Sequence, residues 1–172
     1  KLGGLDRMES IYMYIEYIIL VGSGTSYNAG LLGEYYLNSN NKFVCVKTVN
    51  ASEFSLRVLP KITNKKKILC IFLSQSGETI DVFNCLKICK TYGCLTLGII
   101  NKVDSLISRE VDCGVYLNAG PEISVASTKS FTSMLIVLSL VEMWFNNNYF
   151  NNNKKIDTLR ILSNTLRNQL YN

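Results

Sequence analysis

Within the six residues of SQSGET (Ser74–Thr79) stand two serines, a glycine and a threonine, between the apolar run ILCIFL (Ile68–Leu73) and an amphipathic run that continues through Tyr92. This composition at a strand-to-helix turn suits the holding of an anion. The first turn of a helix leaves backbone N–H groups unpaired and carries a partial positive charge, so it stabilises a phosphate without any lysine or arginine. Ser74, Ser76 and Thr79 add hydroxyl donors, and Gly77 lets the backbone approach a ligand closely. A phosphate monoester has about three terminal oxygens to satisfy, and the turn offers about as many hydroxyls plus several amides.

Two further segments have the same character: GSGTS (Gly22–Ser26) and VAST (Val125–Thr128). Each alone has a plainer explanation as a helix cap, with Ser76 or Gly77, Thr25 or Ser26, and Ser127 as the capping residues. Three such segments at one edge of a sheet, two of them with glycine, favour a binding cleft. GSGTS does not match the dinucleotide fingerprint, because Tyr27 stands where the third small residue belongs and only Glu53 supplies an acid near the end of the second strand.

The elements that position these segments follow from hydrophobic period. Apolar, β-branched runs predict strands at Tyr17–Gly22, Phe43–Val49, Ile68–Leu73, Leu95–Ile100 and Gly114–Leu117. Helical character lies between them at Thr25–Leu37, Ser52–Leu59, Glu78–Tyr92 and Ser105–Glu110, and after them at about Ser127–Asn146 and Asp157–Leu170. In Glu78–Tyr92 the residues Val82, Phe83, Leu86 and Cys89 share a face meant for the sheet, and Gly93 is the expected stop. Strict alternation with strands apolar on both faces predicts one α/β domain, a three-layer α/β/α sandwich with a five-stranded parallel sheet of flavodoxin or Rossmann-like type. NNNYFNNN (146–153) is a polar insert, expected to be a loop. In an open parallel sheet, ligands bind at the carboxyl ends of the strands near a switch point, which is where all three hydroxyl segments fall.

Composition narrows the chemistry. The chain has 172 residues and is 48% hydrophobic, enough for a buried core, and its net charge of +5 comes from 18 basic and 13 acidic residues. The excess lies in short lysine runs at 65–67 and 154–155 with no interleaved aromatics, which argues against nucleic-acid binding. With no histidine and no CxxC pair among six cysteines, a zinc site is not expected; reduced, buried cysteines in a cytoplasmic protein are. MLIVLSLVEMWF (Met134–Phe145) is too short to cross a bilayer and carries Glu142, so it reads as a buried helix rather than a membrane span. Position 1 is Lys, and the chain is expected to be a piece of a longer protein.

GSGTSYNAG, SQSGETID, SREVDCGVYLNAGPEI and VASTKSFTS together resemble the first sugar-isomerase (SIS) half of the isomerase domain in the glutamine:fructose-6-phosphate aminotransferase family, eukaryotic type. The likeness runs from LGGL near the start to about Met143, and NAGPEI joined to VASTK is its most specific part. It implies the same five-stranded sandwich and a substrate, fructose 6-phosphate, whose phosphate is held by Ser74, Gln75, Ser76 and Thr79. It places Thr25 and Ser26 against sugar hydroxyls and Val125 and Ser127 at the far wall of the pocket. Departures are few: Ser23 stands where cysteine is common, Ser124 where glycine is, and Ser130 where alanine is.

Members of that family release ammonia from glutamine in a separate glutaminase domain and make glucosamine 6-phosphate, an early step toward UDP-N-acetylglucosamine. The resemblance also implies a second SIS half carrying a catalytic glutamate and lysines. This chain has Lys1 where the nucleophilic cysteine would stand and no histidine for ring opening, so it is expected to bind the phosphate end of the sugar without turning it over alone. No residue of the chain is assigned a catalytic role and no cofactor is implied. The only nearby candidates for a base are Glu53, Glu78 and Glu122; Glu78 is expected to serve its helix N-terminus, Glu122 to sit on a loop, and Lys129 to face solvent. A regulatory sugar-phosphate sensor without catalysis is the alternative, and a purely structural half is a third. The apolar helix around Met134–Phe145 predicts a homodimer.

Overall fold

The computed structural model describes residues 3–10, 12–39, 41–122 and 127–146 and, beyond these, positions 157, 158, 160, 161 and 163–165. Five parallel strands are present: β1 (Tyr17–Gly22), β2 (Cys45–Asn50), β3 (Ile68–Ser74), β4 (Leu95–Ile100) and β5 (Cys113–Tyr116), in the order β2-β1-β3-β4-β5. Val21 pairs with Val49 on one side and Phe72 on the other, and Ser74 pairs with Ile100. The helices are α1 (Thr25–Asn38), α2 (Ile80–Tyr92), α3 (Leu106–Glu110) and α4 (Thr128–Phe145).

Side chains of period 2 divide between two cores, one on each face of the sheet. Ile18, Leu20, Leu69, Ile71, Leu97 and Ile99 meet α1 and α4 through Ala29, Leu37, Met134, Leu138, Val141 and Phe145. Ile19, Val21, Cys70, Phe72 and Ile100 meet α2 and α3 through Val82, Cys85, Leu86, Cys89 and Ile107. The three layers are those expected. The central strands β3 and β4 are buried along their whole length, whereas the edges β2 and β5 are partly exposed, so burial on both faces does not extend to the edges. Burying each large side chain contributes about 1.5–3 kcal/mol, and most of that stabilisation lies in the layer joining β1, β3 and β4 to their helices.

The second predicted helix is not one. Ser52–Leu59 forms two 3-10 turns, Ala51–Glu53 and Leu56–Val58, separated by extended Phe54 and Ser55. Asn50 accepts from the Ser52 N–H at 3.2 Å, which turns the chain as β2 ends, and Pro60 holds Leu59 in an extended conformation. A run this short between two such constraints does not nucleate an α-helix.

Other differences are small. β2 opens at Cys45 rather than Phe43, whose ring packs edge-on against Phe145, ring centres 5.2 Å apart. α2 starts at Ile80 rather than Glu78, since Thr79 is extended at φ −66° and ψ 112°. Its buried face uses Cys85 in place of Phe83, which is half-buried under the Lys87 ammonium. Gly93 ends the helix with φ 91°, and the bonds Gly93 N–H to Lys90 O and Cys94 N–H to Cys89 O are the pair of a Schellman ending. By length and composition α4 is apolar enough for a membrane span, but Met134, Leu138, Val141 and Phe145 are buried against the sheet and α1. Ile136 is its one exposed large apolar residue, and Phe131, Leu135, Leu140 and Trp144 are half-buried. The NNNYFNNN insert beyond Asn146 and most of the expected last helix lie outside the described residues; positions 157, 158, 160, 161 and 163–165 are helical.

Candidate functional site

β1 is the switch point of the sheet. From it the chain passes first to β2 on one side and then to β3 on the other, so a crevice opens beyond the carboxyl ends of β1 and β3. Gly22–Ser26 leaves the end of one strand and Ser74–Thr79 the end of the other.

The 74–79 turn is shaped by its own hydroxyls. Ser74 is buried, its Oγ accepts from the Gly77 N–H at 2.9 Å, and it lies 3.2 Å from Thr79 Oγ1. Gly77 has φ +66°, and a Cβ there would fall 1.9 Å from Ser105 Oγ, so both conformation and space demand glycine. Gln75, Ser76 and Thr79 are half-buried around the turn. Thr79 is the N-cap residue of α2, yet its side chain makes no capping bond. The first amides of α2 therefore remain available, and Thr79 keeps a hydroxyl beside them.

Capping does not explain the other hydroxyl segments either. Gly24 and Ser127 precede α1 and α4, and neither helix receives a side-chain bond from its N-cap residue. Thr25 and Ser127 do come together: with Asn28, Thr128, Phe131 and Thr132 they line a depression of about 400 Å³ between the starts of α1 and α4. Ser26 is buried and is not among these lining residues. Gln75 instead lines a depression of about 570 Å³ with Asn101, Asn118 and Glu122. Val125 lies outside the described residues.

Two acids near the cleft, Glu122 and Glu78, are engaged by other elements. Glu122 sits on the loop before α4, as expected, and its carboxylate accepts from Ser130 Oγ at 2.7 Å and Ser130 N–H at 3.1 Å. The bond from the Ser130 hydroxyl, followed by that from its N–H, holds the Glu122 carboxyl below its usual range. A carboxylate thus occupies the start of α4, while the first turn of α2 carries Asp81. Lys129 is exposed and donates to the Pro121 carbonyl at 2.6 Å. Glu78 does not serve the start of α2; its Oε1 accepts from the Leu106 N–H of α3 at 3.1 Å.

Sequence reasoning missed Asn28 and Thr132, which reach the Thr25–Ser127 depression. Asn28 was within reach of a pattern argument, being one helical turn after Thr25. Ser105 was not, because its place against Gly77 is set by two elements far apart in sequence.

Comparison with known proteins bears on the family and the fold. A family model described as SIS domain matches residues 15–142. The chain is 45% identical over 139 residues to glutamine--fructose-6-phosphate aminotransferase [isomerizing] 1 of Rattus norvegicus, and 44% identical over 140 residues to the enzyme of that name from Fusobacterium nucleatum. These matches cover 80% and 81% of this chain but 20% and 22% of those proteins, so the chain spans about a fifth of the length of the curated relatives it matches. Among solved structures, the C-terminal domain of glucosamine-fructose-6-phosphate aminotransferase from Francisella tularensis superposes with TM-score 0.74 at 30% identity, over 87% of this chain and 41% of that one. Glucosamine-6-phosphate deaminase from Thermotoga maritima, at TM-score 0.66 and 22% identity over 83% of this chain and 47% of that one, shares the fold.

Proposed function

The chain belongs to the SIS domain family, and from that premise we propose that it is the fructose 6-phosphate-binding half of an isomerising glutamine:fructose-6-phosphate aminotransferase. The observation that carries this reading is the 74–79 turn, where Ser74, Ser76 and Thr79 surround the uncapped start of α2 at the switch point of the sheet. The phosphate sits on the first amides of α2 with Ser76 and Thr79 donating hydroxyl hydrogens and Gln75 at its side. The sugar extends toward Thr25, Ser26 and Ser127, with Val125 closing the pocket. Ser26 is buried and Thr25 lines the depression, so Thr25 is the more accessible of the two.

Binding and orientation are this chain's share of the reaction. Carbon-to-carbon proton transfer needs a base within hydrogen-bond reach; of Glu53, Glu78 and Glu122, the last two are held by backbone N–H groups of other elements, and Glu53 lies exposed in the 3-10 turn after β2. The base, the ring-opening group and the ammonia source are therefore assigned to a second SIS half and a glutaminase domain, in keeping with the fifth of the relatives' length that the chain spans. The product, glucosamine 6-phosphate, places the protein in the synthesis of UDP-N-acetylglucosamine. A cytoplasmic location is supported by six reduced cysteines, five of them buried. The homodimer also belongs to this proposal, to be tested by light scattering.

The test is formation of glucosamine 6-phosphate from glutamine and fructose 6-phosphate by the full-length gene product, repeated with Ser76→Ala. Product formation lost or reduced at least tenfold by Ser76→Ala supports the reading; an unchanged rate contradicts it.

A further inference from the structure

The turn that faces the phosphate is fastened from behind to α3. Two bonds cross between them: the Ile107 N–H donates to the Gly77 carbonyl at 3.0 Å, and the Leu106 N–H donates to Glu78 Oε1 at 3.1 Å. These are the first two amides of α3, which lack partners within a helix. The residue placed to cap them, Ser105, makes no side-chain cap bond. Its hydroxyl is buried, has no partner among the described residues, and is pressed against Gly77. Glu78 thus does for α3 what Ser105 does not.

We propose that Glu78 is a positioning residue for the phosphate site. It lies between Gly77, whose left-handed backbone sets the turn, and Thr79, whose hydroxyl borders the start of α2. Anchoring its side chain on Leu106 fixes the course of both neighbours, and so the aim of the α2 amides. The anchor also has an electrostatic effect. A carboxylate one residue from a phosphate donor repels the ligand unless it is held elsewhere, and the Leu106 N–H holds it on α3. The bond joins residues 28 apart in sequence, so it ties the turn to α3 across the fold.

The inference rests on the phosphate reading above, and its test separates the two. In the full-length gene product, Glu78→Ala and Glu78→Gln are compared with the unaltered protein by calorimetric titration with fructose 6-phosphate. Amide hydrogen exchange at Gly77, Leu106 and Ile107 is measured without ligand. Glu78→Ala is expected to weaken binding about tenfold and to speed exchange at Leu106, while Glu78→Gln, which keeps an acceptor oxygen, restores both to within about threefold. Unchanged affinity in Glu78→Ala overturns the proposal even where exchange at Leu106 speeds up, because the bond then serves α3 alone. Equal loss in both variants overturns it too, since the acceptor would not be what matters. If the unaltered protein binds no fructose 6-phosphate, the phosphate reading fails first and this proposal with it, whatever the exchange rates.

Discussion

Ser74 Oγ and Thr79 Oγ1 lie 3.2 Å apart across the turn, and the same Ser74 oxygen accepts from the Gly77 N–H at 2.9 Å. The turn is therefore closed by its own hydroxyls before any ligand arrives. Preorganisation of this kind lowers the ordering cost of binding. Ser74→Ala leaves the buried Gly77 N–H without its acceptor and is expected to cost about 1–3 kcal/mol of stability. Denaturant unfolding checks this, and a change below about 0.5 kcal/mol would contradict it.

Two glycines at positive φ separate conformation from space. Gly24 (φ +55°) has nothing within 4 Å of a Cβ, whereas a Cβ on Gly77 (φ +66°) meets Ser105 Oγ at 1.9 Å. Gly24→Ala should cost about 1–3 kcal/mol, the backbone term alone at φ 55° and ψ −128°, and Gly77→Ala distinctly more because Ser105 is buried and has nowhere to go. Equal melting temperatures for the two variants would refute the close approach.

Thiol chemistry reports on the core. Cys45 is exposed on the edge strand β2, while Cys70, Cys85, Cys89, Cys94 and Cys113 are buried. Burial, with Cys89 and Asp81 nearby, pushes the Cys85 thiol up to about 12, so it carries almost no thiolate near neutral pH. Titration of the native chain with a chromogenic disulfide should find Cys45 reacting fast and the others only after unfolding. Rapid labelling of Cys85 would count against the packing of α2 on β3.

Glu122 ties stability to pH. Its folded carboxyl lies below the ordinary value of 4.5 because the Ser130 hydroxyl and N–H bond its ionised form. The contribution is fully present above that ordinary value and is lost as pH falls through the lowered one. Melting of the natural chain and of Glu122→Gln, compared between about pH 6 and pH 3, should show a gap that closes on acidification. A gap that widens would reverse the assignment.

The alternation of apolar runs made the sheet and its layers legible, because strand and helix periods differ and both cores follow them. β1 and β4 could be read to their end residues, since glycine and polar residues bound them. Ser52–Leu59 could not, because its fate depends on an Asn50 side chain and on Pro60 rather than on its own spacing. The hydroxyl segments were visible as composition, and their common edge followed from strand order. What lay beyond reach were contacts across elements: Ser105 against Gly77, Glu78 on Leu106, and Glu122 on Ser130. Propensity marks where a serine or glutamate favours a helix end, but not which helix.

The most direct test of the phosphate cradle is calorimetric titration of the full-length gene product with fructose 6-phosphate, with fructose as control and Ser76→Ala as the variant. Saturable binding of the phosphorylated sugar alone, weakened by about 1.5–3 kcal/mol in Ser76→Ala, is the predicted result. Equal binding of fructose, or binding indifferent to Ser76→Ala, would contradict the account.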